Sequence, residues 1–241
     1  MPLLDHFHPP LSKRRHWQNL HSAWANALRD LLNGGLLPPR FVAEVNISLA
    51  SQVEGDLRTF EDDDGGTRSG ASGNLAVWAP PAPVRSVVLD ANPQDVFEIQ
   101  ILNDEEGPRL VAAVELVSPA NKDRPANRRA FALKCGSYLL QGIALALVDV
   151  VTSRLANLYD QLLTLLDVAV EPAESASGNL YAAACRPGQA KNQIRLDYWL
   201  EPLAIGASLP ALPLWISPDL CVPLPLDQAY NQACTSSRIA G

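Results

Sequence analysis

The stretch Val111-Ala112-Ala113-Val114-Glu115-Leu116-Val117-Ser118-Pro119-Ala120-Asn121-Lys122 reads as a buried β-strand that carries one carboxylate among Val, Ala and Leu and stops at Ser-Pro. A charge in such a place is costly unless a cation or hydrogen bonds hold it. The chain then enters a segment bearing Lys122, Arg124, Arg128, Arg129 and Lys134. A buried acid beside clustered bases is an arrangement that metal or phosphate chemistry uses.

Neighbouring segments supply the rest of a sheet. Residues 96–102 read as a strand, residues 103–108 (Asn-Asp-Glu-Glu-Gly-Pro) as a hairpin-type loop, and the stretch from Leu110 to Ser118 as the return. Residues 125–141 read as a helix, opened by Pro125 and stopped at Gly142. Residues 143–151 form a continuous apolar run whose length and β-branching predict a fully buried strand. A second amphipathic helix is expected over 157–168.

Upstream, residues 1–15 read as an irregular, Pro-rich arm ending in Lys13-Arg14-Arg15. Trp17, Leu20, Trp24, Leu28 and Leu31 recur at spacings of three and four, which predicts a helix over 16–33 that ends at Asn33-Gly34-Gly35. Residues 41–53 alternate, with Phe41, Ala43, Val45, Ile47 and Leu49 on one face of a half-buried strand. Glu54-Gly55 marks a turn, and residues 56–60 look like a short returning strand. Residues 61–73, dense in Asp, Gly and Ser, read as a mobile acidic loop. Residues 79–83 read as a stiff linker and 85–89 as a short strand. Beyond residue 168 the chain changes character: Pro recurs every few residues, with short strands expected at 192–200 and 212–216. The expected organisation is an α/β core over 1–168 and a C-terminal lobe over 169–241 packed on it, because Tyr198, Trp199, Leu214 and Trp215 need burial.

Composition bounds the function. The 241 residues are 47% hydrophobic with a net charge of -7, which is ordinary for a globular chain long enough to bury a core. A general nucleic-acid coating protein is usually basic, so DNA binding would have to rest on a local patch. No apolar run is long enough to span a bilayer, and the opening Met-Pro-Leu-Leu-Asp-His-Phe-His lacks a signal peptide's basic-then-apolar order. A cytoplasmic chain is the expectation. Cys135, Cys185, Cys221 and Cys234 are far apart and form no CxxC pair, so they read as reduced, packed thiols. His6, His8, His16 and His21 lack the spacing of a zinc site. Ser118 lies in no Gly-x-Ser-x-Gly setting, and no Gly-rich phosphate loop follows a strand.

Several of these pieces resemble the bacterial family of unknown function DUF 4058: the opening residues 1–10, His16-Trp17, Glu115 through Lys122, Lys134 through Tyr138, residues 209–214 and Asp227-Gln228-Ala229-Tyr230. More distantly, a strand bearing Glu-Leu-Val-Ser-Pro, a helix with Lys and Tyr, and a hydrophobic strand ending in Asp are similar to the Uma-type restriction endonucleases of the PD-(D/E)XK nuclease-like superfamily. That resemblance implies an α/β restriction-endonuclease-like core: a helix, antiparallel strands, a crossover helix and a parallel strand. It also implies a hydrolase in which an Asp and a Glu on adjacent strands hold Mg²⁺ or Mn²⁺ while a Lys assists the attacking water. Carried onto this chain, Asp56 is the first metal carboxylate and Glu115 the second. The Lys expected two residues after Glu115 is replaced by Val117, so that role falls to Lys134 or Lys122, and Gly55 stands where a Pro is expected before the Asp. A homodimer is a further implication, with no interface legible in the sequence.

The residues have a reading of their own. Glu98 and Gln100 share one strand face and could complete an oxygen shell if that face is Glu115's. Lys134 lies on a helical stripe with Phe131 and Tyr138. The alternative is that Glu115 is a structural acid paired with Lys134 or an Arg, and Asp56 a strand-end carboxylate. Lys122, Arg124, Arg128 and Arg129 could form a phosphate-binding face for DNA near a helix start, or a solvated, partly paired helix face. Asp149 is expected to cap a turn or to pair with Arg154. Three functions are compatible with these readings: a metal-dependent DNA nuclease, an inactive relative acting as a binding or assembly module, and a small-molecule hydrolase with the acidic loop as a lid.

Overall fold

The computed structural model describes residues 1–48, 96–104, 107–168, 179–190 and 193–239. Asp56, the short strands expected at 56–60 and 85–89, the acidic loop and the stiff linker lie outside the described residues. The chain divides into two units, the first made of Met1–Ile47 with Val96–Gly241.

The first unit is framed by a six-stranded sheet in sequential order, β1 (Phe41–Ser48), β2 (Val96–Asn103), β3 (Arg109–Leu116), β4 (Ala144–Asp149), β5 (Tyr181–Ala190) and β6 (Gln193–Pro202). β2 and β3 pair antiparallel, β3 and β4 parallel, and β4–β5 and β5–β6 antiparallel. A parallel pair needs a crossover. It is supplied by α2 (Pro119–Asp123) and α3 (Pro125–Leu140), so the expected mixed sheet with one helical crossover is present.

Alternation along the strands fills two cores. Ile99, Ile101, Ala112, Val114, Leu116, Ala146 and Val148 face α1 (Trp17–Leu31), the hairpin β7 (Ala211–Ser217) with β8 (Leu220–Pro225), and α5 (Leu226–Ser236). On α1 the predicted stripe of Trp17, Leu20, Trp24 and Leu28 is buried. The opposite face, with Ala113, Leu145, Leu147, Ala183 and Cys185, packs under Phe131, Cys135 and Leu139 of α3 and Tyr159, Leu162 and Leu163 of α4 (Leu158–Leu165). All six residues of β4 are buried, as expected of a strand covered on both faces. At Gly136 a Cβ would stand 3.2 Å from a Leu165 methyl, so the missing side chain lets α3 and α4 approach.

Three features depart from the sequence reading. The tail is not only a lobe on the core, because β5 and β6 extend the sheet itself. β5, β8, α2 and α5 were not expected. α2 is set by Ser118, whose side chain and backbone exchange hydrogen bonds with Asn121 as a capping box, with Pro119 at the first helical position. Finally, the N-terminal arm is irregular yet strapped down: Leu3 exchanges backbone hydrogen bonds with Ala207 and Gly206 at 2.7 and 2.8 Å, and its side chain is buried. Among the described residues no helix is long and apolar enough to cross a membrane, and all four cysteines are free.

Candidate functional site

Antiparallel register places Glu98 of β2 directly opposite Glu115 of β3. Opposed residues project to the same face of a sheet, here the face under α3. Gln100, opposite Ala113, shares that face. α3 then supplies Lys134 and, one turn on, Tyr138. The Lys134 ammonium stands 3.1 Å from Glu98 Oε2 and 2.5 Å from Glu115 Oε1. Its tip also lies 5.6 Å from the centre of the Phe131 ring.

Both carboxyls are nearly out of solvent, with side-chain exposures of 4% for Glu98 and 2% for Glu115. Two adjacent buried carboxylates cannot both ionise cheaply, and the surroundings separate them. Burial pushes the Glu115 carboxyl up to about 8; the Lys134 ammonium opposes the rise, and Glu98 adds to it. Burial works on Glu98 in the same sense, but a hydrogen bond from Glu115, the charge of Lys134, and bonds from Gln100 and Tyr138 outweigh it and hold Glu98 below its ordinary value. Gln100 donates to Glu98 Oε1 at 2.8 Å, and the Tyr138 hydroxyl donates to the same oxygen at 2.9 Å. Of the two, Glu115 is therefore the one that keeps a proton more readily, hydrogen-bonded to Glu98, which ionises first. Burial alone would lower the Lys134 pKa, but the two carboxyls reverse this and leave it raised. Glu115 Oε1 has the ammonium beside it but no aligned hydrogen bond.

These groups fit a hard divalent cation in kind. Mg²⁺ takes oxygen ligands, commonly one or two carboxylates, and keeps several waters. Two opposed carboxyls, one with an oxygen lacking an aligned hydrogen bond, and a neighbouring side-chain amide meet that description. In number the set is small: among the described residues no three His, Cys, Asp or Glu side chains are grouped to hold a metal. Asp56, the carboxylate expected to lead the site, is outside the described residues.

The basic segment divides. Lys122 does not face solvent: its side chain is fully buried, and its ammonium donates to Asp149 Oδ2 at 2.8 Å. The inward turn of α2 removes it both from the expected phosphate-binding face and from the position of a second catalytic lysine, because Asp149 already holds its charge. Arg128 donates to the backbone oxygens of Lys122 and Asp123, both at 3.2 Å, closing the end of α2. Arg124 and Arg129 remain exposed. Asp149 does cap a turn, accepting from the Val151 N–H at 3.0 Å. Its ionic partner is Lys122, not Arg154, which stands 3.4 Å from Asp123. Burial pushes the Asp149 carboxyl up to about 6, against the pull of Lys122.

The four histidines do not cluster. His6 Nε2 is 2.6 Å from the Tyr230 hydroxyl, His21 Nε2 is 2.9 Å from the Leu116 carbonyl oxygen, and His8 pairs with Asp5 at 2.8 Å. His16 is exposed before α1, while Trp17 behind it is buried. Compared with models of known families, with curated proteins and with solved structures, the chain matches none.

Proposed function

We propose that the chain is a metal-dependent phosphodiester hydrolase acting on DNA, with Glu98 and Glu115 as the carboxylate pair and Lys134 as the basic partner. The observation that carries this reading is the direct opposition of Glu98 and Glu115 across β2 and β3, with the Lys134 ammonium against both. The order of helix, strands, crossover helix and parallel strand supports it, as does the resemblance to the PD-(D/E)XK superfamily. In this reading Glu98 takes the place of a strand carboxylate, and Lys134 on α3 replaces the lysine missing at Val117.

Glu98, Glu115 and the Gln100 amide oxygen are the groups that would hold Mg²⁺ or Mn²⁺, which supplies charge stabilisation of the phosphoryl oxygens and a water of lowered pKa. Glu115 must first lose the proton that it shares with Glu98, so binding would strengthen as pH rises. Lys134 is placed to offset the charge of a phosphate and to orient water, and Tyr138 fixes the Glu98 carboxylate through its hydroxyl. Arg124 and Arg129 are the exposed basic side chains near this face of the crossover.

Cleavage of plasmid DNA with Mn²⁺ tests the reading. Glu98→Gln and Lys134→Met should each lower the rate by about 100-fold or more, the scale of positioned acid–base groups. Cleavage by clean protein that survives both substitutions would contradict it. A specific observation favours a second reading, that of an inactive relative serving as a binding or assembly module: the Lys134 ammonium already stands against both carboxyls from within the chain, in the place a cation would take. That version predicts no metal affinity.

A further inference from the structure

A second site stands at the other end of β3. Arg109 and Glu115 are six residues apart on that strand, about 20 Å at the rise of a β-strand. Around Arg109 a cleft of about 540 Å³ opens between the ends of β2 and β3, the turn from α3 into β4, β5 and the β7–β8 hairpin. Among the described residues its walls carry Arg40, Arg109 and Arg186 and no Asp or Glu, in a chain with 26 acidic and 19 basic residues. Asn103, Gln141 and Ser217 add neutral polar groups.

Two arginines have definite surroundings. The Arg186 guanidinium lies against the face of Trp215, 3.9 Å from its ring centre, and donates to the Pro218 carbonyl oxygen. Its carboxylate neighbour, Asp197, is 3.9 Å away and more closely held by Arg195, at 2.8 Å. The charge of Arg186 is therefore only weakly compensated. The Arg109 side chain is exposed and makes no hydrogen bond or ion pair among the described residues. Leu110, Val111 and Trp215 contribute apolar lining.

We infer that this cleft binds a small phosphate monoester, its phosphate held by Arg109 and Arg186 and its organic part against the apolar lining at Leu110 and Val111. Guanidinium forks match phosphate oxygens bidentately. A monoester carries nearly two negative charges at neutral pH, which suits several cations better than one carboxylate does. The cleft volume falls in the range of small-molecule sites. The site is separate from the Glu98–Glu115 pair, so it stands whether or not the chain cleaves DNA.

Calorimetry on the full chain with AMP, inorganic phosphate and a short DNA duplex tests it. Saturable AMP binding is expected, weakened by about 10-fold or more in Arg109→Ala, as loss of a charge-assisted hydrogen bond predicts. The unfolding temperature should not change, and Arg29→Ala, on exposed α1 surface, should bind like the wild type. Absence of saturable AMP binding, or equal affinity in Arg109→Ala, would overturn the inference. So would duplex binding that depends on Arg109 without AMP binding, which would make the cleft part of a polymer track. Glu98→Gln should leave AMP affinity unchanged.

Discussion

Lys122 and Asp149 form an ion pair with both side chains entirely out of solvent, Nζ to Oδ2 2.8 Å. It joins the helix that follows β3 to the end of β4, so it ties the two parallel strands where their crossover begins. A buried pair of this kind adds little net stability, but removing one partner strands the other charge.

Lys122→Met should therefore cost about 3–5 kcal/mol. The double variant Lys122→Met with Asp149→Leu should recover most of that loss. Urea unfolding of the three proteins checks this. A single variant as stable as the wild type would mean that Asp149 is satisfied without its lysine.

The Glu115 proton predicts a particular slope of stability with pH. The carboxyl titrates near 4.5 in the unfolded chain and at about 8 when folded. Between those values the folded state binds more protons, so stability falls as pH rises from 4.5 through 8. Glu115→Gln removes that dependence. Thermal unfolding should show the variant within a few degrees of wild type near pH 5 but about 10 °C higher near pH 9, given about 1.4 kcal/mol per pKa unit and the few degrees that each kcal/mol moves a domain of this size. Parallel profiles for the two proteins would contradict the shared proton.

His6 predicts the opposite dependence. Burial lowers its pKa from 6.5 to about 4, with Asp5 opposing, while its Nε2 meets the Tyr230 hydroxyl on α5. A histidine buried neutral contributes stability above pH 6.5, which is lost as pH falls towards 4, because the unfolded chain then takes up the proton. His6→Gln should flatten the unfolding profile across that window. A slope equal to that of the wild type would show that other groups cause the acid loss.

Much of the fold was legible where local pattern and burial agree. The β2–β3 hairpin, the α3 helix with its stop at Gly142, and the apolar β4 run each carry their own signal. Gly142 adopts a φ of 81°, a helix-ending conformation that glycine accepts. β5 was missed because Tyr181-Ala182-Ala183-Ala184-Cys185 reads as a poor strand. In the structure those small side chains are buried on both faces of the sheet, a tertiary requirement that overrides propensity. Lys122 sits within a basic run, and nothing local distinguishes an inward lysine whose partner is 27 residues away. Glu98, Gln100 and Lys134 were legible as a set once β2 and β3 were paired. The arginine cleft was not, because its three cations come from segments far apart in the chain.

The most direct test of the carboxylate site is Mn²⁺ titration by calorimetry at about pH 8, where Glu115 can give up its proton, on wild type and on Glu98→Gln. The account predicts saturable binding in the wild type, lost or weakened by about 10-fold or more in the variant, the scale of losing support at a metal site. No binding in the wild type, or equal binding in both proteins, would contradict it and leave Glu98, Glu115 and Lys134 as a structural ion cluster.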